Sequence, residues 1–420
     1  MHHFDYKDGQ FHCEDVPLAK IAEEVGTPFY CYSHATLLRH FTVFDQAFKD
    51  VPHLVCFAVK ANSNLAVVRL FAKQGGGADI VSGGELYRAQ KAGVPADKTV
   101  FAGVGKTAPE IEAALKAGIL MFNVESTQEL LLIDLVAGKL GVKAPVALRV
   151  NPDVDPQTHP YISTGLKQSK FGISIESAME EYKNASKLPN IEIVGMHKHI
   201  GSQITLVSPF ADALEKTLEL VTALRAEGIN IKYVDIGGGL GITYNDEAPP
   251  HPDELAKAIV PMLKETGCTI VFEPGRVLVG NAGALVTRAL FTKSNVEKTF
   301  IIVDAAMNDL ARPSLYGSYQ HIVPVTQEAA KRKKITADVV GPICESGDFL
   351  AKDRVLPEIY PDELMAVMSA GAYGFTMSSN YNSRPRVPEV LVNGATYDVI
   401  RKRETVEDLV RGESIPAYLE

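Results

Sequence analysis

The segment Val55-Cys56-Phe57-Ala58-Val59-Lys60-Ala61-Asn62 delivers one lysine at the end of an apolar, strand-like run, the position at which βα-barrels keep their chemistry. An amine there can attack a carbonyl once burial lets it shed its proton. A lysine closing an apolar strand is more often a solvated loop charge, so the question is whether partner groups converge on it. Three segments offer them. Asp235-Ile236-Gly237-Gly238-Gly239-Leu240-Gly241 places side-chain-free backbone after a strand, where amides can approach an anion closely. Its glycines lack G-x-G-x-x-G spacing and come late in the chain, which disfavours a nicotinamide enzyme and leaves a glycine-rich tight turn as the plain alternative. Phe272-Glu273-Pro274-Gly275-Arg276 sets a carboxylate at a strand end beside a guanidinium, which could hold another carboxylate or simply pair with Glu273. His197-Lys198-His199-Ile200-Gly201-Ser202-Gln203 carries an H-x-H pair that strand alternation would put on one face. Such a pair could ligate a metal, as in metal-dependent hydrolases, but that reading needs further His and Asp ligands at strand ends and few suitable histidines exist. No metal is expected.

A lysine, a phosphate cradle, a carboxylate and a flat imidazole around one opening match the needs of pyridoxal 5'-phosphate. Its aldehyde needs an amine that can be uncharged when the Schiff base forms, and desolvation in a barrel mouth favours that form. Its pyridine nitrogen becomes a strong electron sink if a carboxylate keeps it protonated, the natural role of Glu273, and an imidazole can stack on the ring.

The elements that must position these groups are legible too. Short β-rich runs around Phe57, Ile80, Phe101, Phe122, Leu148, Met196, Val234 and Phe272 alternate with helical patterns, the strand count of a closed barrel. Ser82-Gly83-Gly84-Glu85, Thr107-Ala108-Pro109-Glu110 and Ser126-Thr127-Gln128-Glu129 each follow a strand and fit the capping box of a helix start. Gly93, Gly118 and Gly141 sit where those helices should stop. After about Gly280 the rhythm turns to β-rich segments, Ala284–Thr292, Thr299–Val303, Ala337–Val340 and Leu364–Met368, without long helices between them. The opening residues, with Pro28-Phe29-Tyr30-Cys31-Tyr32, are expected to pair with these, since eight strands are counted without them. The expected architecture is α/β: a (β/α)8 TIM-type barrel over 36–278, followed by a mostly β C-terminal domain made of 279–420 with 1–35.

The 420 residues, 46% of them hydrophobic, can bury a large core. A formal charge of -9 without a dense Lys/Arg run argues against nucleic acid or an anionic membrane as partner and favours a small molecule. Five widely spaced cysteines without a C-x-x-C pair suit a reducing cytosol rather than a disulfide framework or zinc site. The polar start and the lack of a run long enough to span a bilayer predict a soluble, cytoplasmic protein.

Seven motifs in order, over nearly the whole length, carry a resemblance: Phe57-Ala58-Val59-Lys60-Ala61-Asn62, Ala78-Asp79-Ile80-Val81-Ser82-Gly83-Gly84-Glu85, His199-Ile200-Gly201-Ser202-Gln203, Gly237-Gly238-Gly239-Leu240-Gly241, Glu273-Pro274-Gly275-Arg276, Cys344-Glu345-Ser346-Gly347-Asp348 and Gly371-Ala372-Tyr373. The chain resembles the diaminopimelate decarboxylase family, within the alanine racemase-like, group IV decarboxylase superfamily of pyridoxal-phosphate enzymes. The resemblance implies that Lys60 forms the Schiff base, His199 stacks on the ring and Glu273 pairs with the pyridinium nitrogen. It implies further that Asp79, Ser202, Gly239, Gly275, Arg276 and Tyr373 help hold the cofactor, and that Arg276, Arg312, Tyr316, Glu345 and Tyr373 bind substrate. Cys344 alone reads as a small buried residue; the resemblance makes it the proton donor after carbon dioxide leaves, with Glu345 binding the distal ammonium. Both would come from a partner subunit, in a homodimer with active sites at the interface. The implied reaction is decarboxylation of meso-2,6-diaminopimelate to L-lysine, the last step of lysine biosynthesis. An ornithine- or arginine-type decarboxylase fits less well, because those substrates lack the second carboxylate that two arginines suit. A racemase would need a second base, and a non-catalytic pyridoxal-phosphate carrier would not explain a β domain carrying Cys344 and Glu345.

Overall fold

The computed structural model describes residues 2–156, 158, 164–165 and 169–420, and the chain divides into two compact units, Leu38–Leu278 and Met1–Leu37 with Val279–Glu420. In the first unit, strands β1 (His53–Ala58), β2 (Gly77–Ile80), β3 (Thr99–Phe101), β4 (Met121–Val124), β5 (Ala144–Asn151), β6 (Ile191–His197), β7 (Tyr233–Asp235) and β8 (Thr269–Phe272) pair in parallel, each with the next. Pairing of Phe272 on β8 with Val55 on β1 closes the ring. All eight expected strands are present, and most of their residues are buried on both faces, as a parallel sheet covered by helices requires. Cys56, Val100, Met121, Ala147, Val194 and Val271, from six of the strands, form one apolar cluster.

Helices α1 (Leu65–Lys73), α2 (Gly83–Lys91), α3 (Ala108–Ala117), α4 (Thr127–Leu140), α5 (Ile175–Ala185), α6 (Ser208–Ala226) and α7 (Pro252–Lys264) each follow the strand of the same number. Their starts are set locally. The Ser82 and Ser126 hydroxyls each accept the amide of the glutamate three residues on, at 3.2 Å. The reciprocal half of the box forms only at Thr107, whose amide donates to Glu110 at 3.0 Å. Glu85 and Glu129 instead reach one residue farther back, to the amides of Val81 and Glu125. Glu129 also takes the Lys106 ammonium at 2.6 Å, which draws its carboxylate to the strand ends. Gly118 and Gly141 end α3 and α4 with φ of 72° and 68°, the left-handed region that glycine enters at least cost.

In the second unit, a long strand β9 (Gly283–Ser294) pairs antiparallel with Phe29–Ser33, Thr299–Val303 and Leu364–Val367. Phe29–Ser33 also pairs in parallel with Glu389–Asn393. Lys334–Val340 extends the sheet beside Thr299–Val303. The strands Phe349–Pro357, Glu389–Asn393 and Thr396–Arg401, and a three-stranded meander over 4–17, are additions to the sequence reading. Phe11, Phe29, Cys31, Ala284, Val286, Val325, Ala366 and Val390 share its apolar core. Among the described residues no helix is long and apolar enough to cross a membrane.

Candidate active site

The groups singled out in the barrel lie at the carboxyl ends of its strands, the end at which such barrels build sites. Lys60 does not sit on β1 itself: the strand stops at Ala58, and Lys60 stands in a 3-10 turn, Val59–Ala61, just beyond it. The turn carries its side chain to Asp79 on β2, with Nζ 2.6 Å from Oδ2. Asp79 is fully buried and Lys60 is not. Burial, and then the charge of Glu273, push the Asp79 carboxyl up to about 7 against the pull of Lys60. A carboxyl of that strength beside an amine can give and take a proton near neutral pH.

Glu273 follows β8 and is buried. Burial pushes its carboxyl up, but the approach of His197 as a hydrogen-bond donor and the charge of Lys60 outweigh this and hold it below the usual carboxylate range. Its Oε1 accepts the Asn123 side-chain amide at 3.0 Å, and Oε2 lies 3.4 Å from His197 Nε2. Of the two readings of Arg276, a hold on another carboxylate or a pair with Glu273, the described partners do not include Glu273. Arg276 turns to Ser202, whose hydroxyl accepts its Nη2–H at 3.0 Å, while Nη1 donates to the Tyr244 hydroxyl at 2.6 Å.

The H-x-H pair is also arranged differently from the sequence reading, because β6 ends at His197 and alternation stops there. His197 is enclosed beside Glu273, while His199 lies past the strand, where its Nδ1 accepts the Gly238 amide at 3.2 Å. That bond leaves the ring proton on Nε2. Burial first, and then the charge of Arg149, hold the His199 pKa well below the ordinary imidazole range, so it presents a neutral, flat ring. Among the described residues the one cluster with metal-site spacing is His197, Asp235 and Glu273, whose ligand atoms lie within 4.8 Å of one another; His199 is not part of it.

The glycine loop after β7 has a steric reason for its composition. A Cβ on Gly237 would come within 2.7 Å of His199 Nδ1, one on Gly238 within 2.2 Å of the Glu273 carbonyl oxygen, and one on Gly239 within 2.5 Å of the Gly201 carbonyl oxygen. Gly239 also has φ of 119°, open to glycine and strained for other residues. The loop can therefore pack backbone against His199, Glu273 and Gly201 at once, and a planar ring and a phosphate fit what surrounds it. An amine held against a buried carboxyl, an ionised buried carboxylate, a neutral imidazole and side-chain-free backbone beside Ser202, Gly275 and Arg276 are the donor set pyridoxal phosphate requires.

The remaining expected residues belong to the second unit. Arg312 is buried at the start of a short helix, Arg312–Tyr316, with its guanidinium 5.8 Å from the Tyr316 ring centroid. Tyr373 holds φ of 54°, strained for a bulky residue. Two positions before it, a Cβ on Gly371 would come within 1.9 Å of the Val279 carbonyl oxygen. Cys344 corrects the reading of a small buried residue: it is exposed, whereas Cys13, Cys31, Cys56 and Cys268 are buried. The Asp348 carboxylate holds its turn, accepting the amides of Met307 and Ile343, each at 2.7 Å, and leaves Cys344 and Glu345 facing outward. Sequence reasoning assigned no role to Asn123 or Tyr244. A polar residue inside the apolar run Phe122-Asn123-Val124 was the available signal for the first; Tyr244, in a loop, had none.

The pyridoxal-dependent decarboxylase pyridoxal binding domain matches residues 34–280. The diaminopimelate decarboxylase of Aquifex aeolicus is 53% identical over 409 residues, covering 97% of this chain and 96% of its own. That of Vibrio cholerae is 52% identical over 417 residues, covering 99% of both. The crystal structure of the M. jannaschii diaminopimelate decarboxylase in complex with L-lysine aligns with a TM-score of 0.94 at 40% identity, covering 100% of both chains. With this similarity along its whole length and the lysine, carboxylate and glycine loop at the mouth of its barrel, the chain belongs to the diaminopimelate decarboxylase family of pyridoxal-dependent decarboxylases.

Proposed function

We propose that this protein decarboxylates meso-2,6-diaminopimelate at its D-configured centre, releasing L-lysine and carbon dioxide, with pyridoxal 5'-phosphate held by the barrel 36–278. The observation that carries the reading is the junction of Lys60 with Asp79 at the same barrel end as the ionised Glu273. When bound, the cofactor supplies an aldehyde for amine exchange and a ring that takes up the electron pair left by carbon dioxide. Lys60 would hold it through its amine, and Asp79, 2.6 Å from that amine, would take and return a proton there. Glu273 would supply the negative charge that holds its ring nitrogen, and His199 would pack on its ring. Ser202, Gly239 and the backbone of Gly275 and Arg276 hold the phosphate, with Tyr373 completing the cofactor site.

Arg276, Arg312, Tyr316 and Tyr373 orient the substrate so that the scissile bond stands perpendicular to the ring plane. The β-rich domain, 1–35 with 279–420, carries an exposed Cys344 and Glu345, which suits service to a second copy. In a cytoplasmic homodimer, Cys344 of the partner subunit delivers the proton to the former D-centre carbon, and Glu345 of the partner subunit binds the distal ammonium. The test is lysine and carbon dioxide release from meso-2,6-diaminopimelate by the purified protein with pyridoxal phosphate, against a Lys60→Ala control. Stoichiometric lysine that disappears in the control is expected. Normal cofactor uptake without product would overturn the substrate; no uptake would overturn the cofactor.

A further inference from the structure

Behind Glu273 lies a second, fully buried acid that the reaction above does not use. Asp235 ends β7. Its Oδ1 accepts the Gly237 amide at 2.9 Å, which starts the glycine loop, and its Oδ2 accepts the Asn123 side-chain amide at 2.9 Å. The same Asn123 nitrogen donates to Glu273 Oε1 at 3.0 Å. One amide group thus spends its two N–H bonds on two carboxyls. Those carboxyls and the His197 ring come within 4.8 Å of one another, and neither His197 nitrogen has a hydrogen-bond partner of good geometry among the described residues.

Two carboxylates this close in a dry interior do not both ionise unless a cation lies between them. None does. Burial holds His197 below the ordinary imidazole range despite Glu273, so it is neutral at neutral pH. Lys198, on the adjoining strand end, is pushed down by burial to about 7 and makes no hydrogen bond to the Asp235 carboxyl among the described residues; its ammonium lies 5.9 Å from the Phe210 ring centroid. Lys60 and Asp79 act on Glu273, and Arg149, paired with Glu125 at 2.6 Å, acts on His197. Negative charge therefore resides on Glu273, and burial with the Glu273 charge pushes the Asp235 carboxyl well above the usual range.

Resting on the pyridoxal-phosphate reading of the site, we propose that Asp235 is a positioning residue: as a neutral acid it ties the glycine loop, through Gly237, to the orientation of Glu273, through Asn123. It touches neither cofactor nor substrate. It makes the phosphate end and the ring-nitrogen end of the site one rigid piece and leaves the charge of this carboxyl pair on Glu273.

The test uses the full-length protein with Asp235→Asn, which keeps an oxygen to accept the Gly237 amide but sets an NH2 group, unable to accept, against the Asn123 amide, and Asp235→Ala, which removes both links. Infrared difference spectra at pH 8 should show a protonated-carboxyl band in the wild type that vanishes in Asp235→Asn. Pyridoxal phosphate affinity, read by absorbance titration, should fall by more than about threefold in Asp235→Asn, which loses one link, and by more than about tenfold in Asp235→Ala, which loses both. Absence of the band, or an alanine variant that binds pyridoxal phosphate like the wild type, would overturn the proposal. If Asp235→Ala does not fold, the infrared comparison of wild type and Asp235→Asn decides. If the wild type takes up no pyridoxal phosphate, the functional reading fails, while the infrared measurement on the cofactor-free protein still tests Asp235.

Discussion

Replacing Gly238 by alanine should damage the cofactor site without touching a charged or reactive group. The added Cβ would lie 2.2 Å from the Glu273 carbonyl oxygen and 3.0 Å from its carbonyl carbon. Ordinary contact begins at 3.4 Å, so the two backbones must separate by 1.2 Å. They are not free to do so. The Glu273 amide donates to the Gly237 carbonyl at 2.9 Å, and the Pro274 carbonyl accepts the Ala58 amide at 3.1 Å, which ties the segment to the glycine loop on one side and to β1 on the other. Overpacking of this kind costs about 1–3 kcal/mol. A displacement near 1 Å at a site of this sort weakens function by about a hundredfold. Pyridoxal phosphate affinity, measured by absorbance titration, should therefore fall roughly 10- to 100-fold, at about 1.4 kcal/mol per decade. Thermal denaturation should fall by a few degrees, at roughly 2–4 °C per kcal/mol for a unit of this size. The control is Gly105→Ala in the same barrel, where a Cβ meets nothing within 4 Å and the backbone lies outside the left-handed region. If Gly238→Ala binds cofactor like Gly105→Ala, the steric account of the loop is wrong.

Three other outcomes follow from the geometry. Because burial pushes Asp79 up to about 7 from 3.8, the folded state holds a proton that the unfolded chain releases. Its stabilising contribution is full below about pH 4 and is lost as pH rises through 7, so in melts between pH 5 and 8 Asp79→Asn should gain on the wild type as pH rises; a constant difference would contradict this. Arg149 is buried and pairs with buried Glu125 at 2.6 Å; Arg149→Met leaves an unpaired interior charge and should cost about 3–5 kcal/mol in chemical denaturation, whereas Lys116→Met, at an exposed pair, should leave the midpoint unchanged. Cys344→Ala, at an exposed position, should alter stability by less than about 0.5 kcal/mol and bind cofactor and substrate normally, yet lose turnover; wild-type lysine release would remove it from the reaction.

What could be read from the sequence was what neighbouring residues decide among themselves. The eight strands were visible because each is a short apolar run buried on both faces, and the helix starts because Ser82, Thr107 and Ser126 meet their partners within one turn. Lys60, Glu273 and the glycines after Asp235 stood out because they interrupt apolar runs at the strand ends. Alternation failed where an element stopped sooner than its pattern: β1 gives way to a turn before Lys60, and β6 ends at His197, so His199 faces Gly238 rather than a metal with its neighbour. Arg276 beside Glu273 left open whether it holds another carboxylate or its neighbour, and only the fold sets its donors against Ser202 and Tyr244. The rest was decided only when the ring closed. Asn123 and Glu273 are 150 residues apart in the chain, and no local pattern relates them. Barrel closure sets the strand register, that register brings the ends of β4, β7 and β8 together, and burial there distributes charge among Asp79, Asp235 and Glu273 in a way that no single residue type could announce.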